Sequence, residues 1–253
     1  MMDYLVFRLY APLASWGEAA VGETRPTATY PGRAAILGLL GAALGIKRDD
    51  DTGQQMLNDS VRVAVKQRSP GTLMRDYHTA QVPAAQSKMT YRTRRDELSA
   101  PRRIINTILS SRDYRCDGLW TVAVWLKPGA SLALDALQAA LLRPRYTLYL
   151  GRKACPLGAP LAPQRIEAGC LREALDAAFP VLVGKDEKTE QKALRLPDNV
   201  VYCWEGQADL LDGEGNESGV ESSDTWDAPL NRRRWQFGPR VEFRRFERLE
   251  EGR

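Results

Sequence analysis

The chain has 253 residues, 43% hydrophobic and 27% charged, enough for one large globular domain or two small ones. No apolar run approaches the roughly 20 residues of a membrane span, and the nearest, AAILGLLGAALGI (34–46), is short and interrupted by three glycines. The net charge is only +4; a single histidine, His78, excludes two-histidine nuclease chemistry and multi-histidine metal cages, and four cysteines in no CxxC pair argue against a zinc site.

Tyr4 to Tyr10 alternates, Leu5, Phe7 and Leu9 against Tyr4, Arg8 and Tyr10, which predicts a strand with one buried face. No basic leader or small-residue cleavage site accompanies MMDYLVFRLYAP, and the scattered cysteines suit a reducing compartment, so a cytoplasmic location is expected. Residues 11–32 are rich in Gly, Pro and Thr and read as a long loop. PGRAAILGLLGAALGI (31–46) predicts a helix apolar nearly all round, with Ala34, Gly38, Gly41 and Gly45 on one face for close packing. Val61, Val63 and Val65 mark a second strand. Residues 68–118 lack a continuous core pattern and read as an inserted, extended basic hairpin.

LWTVAVWL (119–126) is apolar on both faces, as a central strand is. SLALDALQAALL (131–142) predicts a helix with Leu134, Leu137 and Leu141 inward and Ser131 as N-cap. RYTLYL (145–150) reads as the next strand, which breaks at Gly151 into Arg152 and Lys153. The order is βαββαβ, the ferredoxin-like pattern of RRM domains, an α+β fold. Beyond it, a helix is expected near 170–179 and a strand at 199–206. Residues 205–227 should be an acidic flexible loop, and one or two strands should lie within 232–246. These give a domain over 1–151 with the hairpin at about 68–118, then a smaller β-rich C-terminal region over 152–253.

Charge is distributed in blocks. Lys66 to Arg112 holds ten Lys/Arg against three Asp/Glu. Glu205 to Asp227 holds eight Asp/Glu and no Lys/Arg, and Asn231 to Arg248 holds seven Arg against two Glu. Separated blocks of opposite sign suit a protein that presents one surface to a polyanion. In the basic insertion Tyr91 neighbours Arg92, Arg94 and Arg95, and Tyr77 neighbours Arg75 and His78. Cations hold phosphates and aromatics stack on unpaired bases for about 1–3 kcal/mol each, which suits single-stranded nucleic acid. Backbone N–H groups at the Gly151 break can hold phosphate oxygens. GxxxxGK[ST] is absent, and the aspartates of RDDDT (48–52) lack EF-hand spacing. His78, helped by Tyr77, is the one candidate general base for a metal-free RNA cleavage. No cofactor and no metal is expected.

Five stretches, in this order, resemble one family: YLVFRLYAPLASWG, RPTATYPGRAAILGLLGAALGIKRDD, RDYHT, TVAVWLKP and LRPRYTLYLGRKACPL, from Tyr4 to about Leu161. They are similar to the CasD family of the RAMP superfamily, a subunit at one end of the type I-E CRISPR surveillance complex, Cascade. The resemblance implies a modified ferredoxin-like domain with a hairpin thumb. It implies binding of the 5′ handle of CRISPR RNA, capping of the CasC backbone filament, contact with the large subunit CasA, and through the complex an indirect meeting with target DNA. RNA processing in this subtype belongs to CasE, so a binder rather than an enzyme is implied. A sister branch in subtype I-C cleaves RNA with a Tyr/Lys/His set; Tyr77 and His78 are present here, but no lysine adjoins His78. Many relatives carry Pro-Thr-Arg-Ser where this chain has Pro31-Gly32-Arg33-Ala34, so a hydroxyl contact does not carry over.

The expected RNA-binding set follows. Arg33, at a helix N-terminus, and Gly151, Arg152 and Lys153 hold handle phosphates, with Trp16 and Arg25 completing the groove. Tyr77, His78, Arg92, Arg94 and Arg95 lie on or near the thumb, and Tyr149 stacks.

Overall fold

The computed structural model describes residues 1–20, 22–85, 89–231, 234 and 236–249. Its centre is a seven-stranded antiparallel sheet built from β1 (Met2–Ala11), β3 (Val61–Ser69), β6 (Gly118–Leu126), β7 (Gln164–Ala168), β8 (Asn199–Trp204), β9 (Glu221–Asn231) and β10 (Gln236–Arg248). The order is β7-β1-β6-β3-β8-β10-β9. Its first four members are a ferredoxin-like unit, the crossovers made by α1 (Arg33–Leu44) and α4 (Leu134–Leu142). The expected βαββαβ order is present.

The fourth strand of that unit is not the expected one. Residues 145–150 form no strand, although Leu148 and Leu150 do point into the core. Two backbone donors of the segment are taken by the end of α1 instead: Arg145 N–H donates to the Ala43 carbonyl and Tyr146 N–H to that of Ala42. Both carbonyls belong to the last turn of α1, so the start of the segment is tied to the helix end rather than to a neighbouring strand. β7 pairs with β1 in its place.

Both faces of the sheet are covered. Leu5, Phe7, Leu9, Val63, Val65, Val122 and Val124 meet α1 and α4 in one core. Tyr4, Val6, Ala123, Trp125, Tyr202 and Trp204 meet α5 (Leu171–Leu175) in a second. β1 is therefore buried on two faces rather than one. Each large apolar side chain so enclosed contributes about 1.5–3 kcal/mol. α4 presents Leu134, Leu137 and Leu141 inward as its periodicity requires, but starts at an Ala133 cap without help from Ser131.

Outside the inserted hairpin, two helices had no clear sequence signal. α2 (Asp51–Ser60) follows the aspartate cluster, where Asp50 caps it by accepting from Gly53 N–H. α6 (Glu187–Ala193) is capped by Asp186 and buries no residue. The glycine stripe of α1 has two uses: Gly41 lies against Leu57 of α2, and Gly45, at φ 80°, ends the helix in the left-handed conformation.

The basic insertion is a ribbon. β4 (Thr72–Pro83) and β5 (Ile105–Cys116) pair over their full lengths, and β2 (Thr24–Arg25) adds to β5 in parallel near its end. A short helix, α3 (Arg94–Leu98), closes the far end with a Thr93–Asp96 capping box. Over residues 205–227, β9 already begins at Glu221. The expected loop is thus confined to the part before it, which holds turns and a 3-10 turn at Ala208–Leu210.

Candidate nucleic-acid interface

Three segments far apart in sequence converge at the root of the ribbon. Thr24 and Arg25 lie beside Ser111 and Arg112 in β5. Ala14 bridges Arg115, and Ser15 N–H donates to the Leu150 carbonyl at 3.0 Å. Arg152 ties the three together. Its guanidinium donates to the Asp113 and Arg25 carbonyls, each at 3.2 Å, and lies 4.6 Å above the Tyr114 ring. Stacked on an aromatic and fixed by two carbonyls, that cation has little freedom left to lose when a ligand arrives.

Gly151 makes this possible for a different reason from the expected one. Its φ is 86°, and a Cβ there would run into the Ser15 carbonyl. The close approach that needs glycine is to the protein's own backbone. Arg152 is half-buried, and the neighbouring Lys153 is exposed. Tyr149 is partly exposed, with its backbone bridged to Pro156.

The root carries Arg25, Arg112, Arg115, Arg152 and Lys153, and Arg115 and Arg152 lie near its one buried carboxylate, Asp113. Arg75 neutralises that carboxylate from the facing strand, through two bonds of 2.7 and 3.0 Å. The Arg75 hydrogen bonds hold the Asp113 carboxyl below the usual range against its desolvation, helped by the charges of Arg75, Arg152 and Arg115. Arg25, Arg112, Arg115, Arg152 and Lys153 then outnumber the partly exposed Asp76, which faces Arg112 in the ladder. Arg112, Asp113, Tyr114 and Arg115 were missed from sequence, though SSRDYRC repeats the aromatic-with-cation pattern of RDYHT.

Successive residues of a strand face opposite sides. Tyr77, in register with Ser111, is on the face of Arg75 and Asp113. His78, in register with Ser110, is on the other face, with its Nδ1 3.9 Å from Asp76. The pair proposed to act together in cleavage is thus separated by the ribbon itself. Arg94 donates to Glu97 and to the Gln81 carbonyl, while Arg92 and Arg95 are exposed. Gln81 is six residues along β4 from Arg75, roughly 20 Å. The distal cations therefore form a second patch, apart from the root.

Two expected site residues are turned inward. Trp16 is buried edge-on against Trp120, centroids 5.2 Å apart, inside the core. Arg33 is 3% exposed; its guanidinium pairs with Glu205 and donates to the Asn58 and Val61 carbonyls. Burial pushes the Arg33 guanidinium down and the Glu205 carboxyl up, and each charge opposes the shift of the other. The N-terminus of α1 is filled as well, because Asp227 of β9 accepts from Arg33 N–H at 2.5 Å. Neither the helix end nor its arginine is free to hold a phosphate.

A ferredoxin-like unit that projects a cationic ribbon with exposed aromatics defines the class: a RAMP-type protein. The family model described as CRISPR-associated protein (Cas_Cas5) matches residues 4–241, and the chain belongs to that family. Over 169 residues it is 41% identical to the CRISPR system Cascade subunit CasD of Escherichia coli (strain K12), covering 64% of this chain and 70% of that one. A solved structure described as a CRISPR RNA-guided surveillance complex shares the fold at TM-score 0.63 and 24% identity, over 97% of this chain and 90% of its own. Another, described as a Cas protein, matches at TM-score 0.60 and 25% identity, over 97% and 94%. Among the described residues no helix is long and apolar enough to cross a membrane.

Proposed function

We propose that the chain is the guide-RNA-binding subunit of a cytoplasmic Cascade-type complex and holds the 5′ handle of the RNA at the root of the ribbon. The observation that carries this reading is Arg152, stacked on Tyr114 and braced between the first loop and β5, with Lys153 and Arg25 beside it. Family membership supports the Cascade setting. In this reading Arg25, Arg112, Arg152 and Lys153 meet handle phosphates. Tyr77, Tyr149 and His78 meet bases, and Arg92, Arg94 and Arg95 steady the strand farther out. A CasC-like filament end and a CasA-like large subunit are the proposed protein neighbours.

The competing function is a metal-independent repeat endoribonuclease. The opposite facing of Tyr77 and His78 speaks against it. Incubating the purified chain with repeat RNA in EDTA separates the two. RNA recovered bound and intact is the expected result, and cleavage abolished by His78→Ala would overturn the binder reading.

A further inference from the structure

We infer that the outer edge of β9 receives an extended cationic segment of a neighbouring protein as an added strand. The inference rests on the reading that the chain works inside a Cascade-type assembly. β9 ends the seven-stranded sheet among the described residues, so it has a ladder with β10 on one side only. An open edge of this kind is a template for another strand, and proteins usually blunt it with charge, proline or a cover.

Charge is present, but its company argues for a partner. Glu214, Glu217, Glu221 and Asp224, on the approach to β9 and along it, are exposed and join no ion pair among the described residues. Three other acidic residues of this stretch behave differently: Glu205, Asp212 and Asp227 are each locked to an arginine, while Asp209 accepts from Gly215 N–H. In the middle of the edge stands Trp226, 72% exposed, with Val241 of β10 exposed on the same face. Blunting an edge needs no exposed tryptophan. Large aromatics left in water are typical anchors of protein interfaces.

Beside Trp226 a cavity of about 540 Å³ opens between Trp16, Tyr30 and Ala34, with room for a side chain of the arriving strand. Four unpaired carboxylates repel RNA phosphates and attract lysine and arginine. The occupant is therefore a protein strand with alternating basic residues and an apolar anchor for Trp226, not the guide RNA.

The test uses the chain alone and in the assembled complex. Of the backbone amides of residues 221–228, those turned away from β10 should exchange fast in the free chain and slow by about 100-fold on assembly. A photoreactive p-benzoylphenylalanine replacing Trp226 should crosslink to a protein subunit. Unchanged exchange in a complex that retains its RNA, or a crosslink to RNA, overturns this inference and leaves the RNA-binding reading standing. Failure of the chain to copurify with Cascade subunits overturns that reading, and this inference with it.

Discussion

Asp227 accepts a hydrogen bond from the backbone N–H of Arg33 at 2.5 Å, across 194 residues of chain. It thereby caps α1, whose own N-cap residue, Gly32, has no side chain to do so. The same carboxylate accepts two bonds from Arg240, of 2.6 and 3.0 Å. Against the burial that would lower it, Asp227 and Glu242 hold the Arg240 guanidinium above its ordinary value. A Cβ on Gly32 would press on the Asp227 carboxylate, so glycine and remote cap fit together.

Asp227→Ala removes a helix cap and one of the two carboxylates that hold the buried Arg240, leaving Glu242 as its remaining partner. Loss of the sole partner of a buried charge costs about 3–5 kcal/mol, and the retained Glu242 keeps this variant below that. The urea midpoint should fall accordingly, with guide-RNA affinity little changed wherever the variant is folded. Asp227→Asn, which keeps an acceptor for Arg33 N–H, should lose less.

Gly151→Ala tests the root of the ribbon. The left-handed φ and the Ser15 carbonyl both oppose a side chain there, so the variant should unfold at a clearly lower temperature and bind RNA more weakly through a displaced Arg152. Gly17→Ala on the same first loop is the control: its Cβ would meet nothing within 4 Å, and its melting temperature should stay close to that of the parent.

Much of the core could be read from sequence because its signals are local. The alternation of Val61, Val63 and Val65, and the spacing of Leu134, Leu137 and Leu141, each specify a face without reference to the rest of the chain. α2 escaped because DTGQQMLNDS offers only Met56 and Leu57 as an apolar stripe. RYTLYL misled because its alternation is real, yet its first two backbone donors are drawn to Ala43 and Ala42 of α1 and its last to Cys155. Arg33 looked like a free cation at a free helix end because Glu205, which pairs its guanidinium, and Asp227, which fills the helix end, lie 172 and 194 residues away. The root was half visible: Arg152 and Lys153 stood out as bare cations, while Tyr114 and Asp113 take on meaning only once β5 lies beneath them.

The Asp113–Arg75 pair sets an acid limit. The folded carboxyl is held below its ordinary value, chiefly by the Arg75 hydrogen bonds. Its contribution is therefore complete above the unfolded value, about pH 3.9, and is lost as pH falls through the lower folded value. Urea midpoints measured from pH 6 down to pH 2.5 should fall less steeply in Asp113→Asn than in the parent at the acid end.

The four thiols should divide by burial. Cys155 and Cys203 are buried; burial raises the Cys155 thiol, and burial with the Glu242 charge pushes Cys203 up to about 12. Mass spectrometry after iodoacetamide at pH 8 should show both unmodified in the native chain and alkylated in urea.

Binding of RNA phosphates at the root of the ribbon is tested most directly by removing two of its cations. Guide-RNA affinity should be measured across salt for the parent and for the Arg152→Ala, Lys153→Ala double variant, with both shown to be folded. Each lost contact to a single strand reduces the slope of log K against log salt by about 0.7. Weaker binding with a slope shallower by about 1.4 is the expected result; an unchanged affinity and slope would mean that the RNA does not bind at this root.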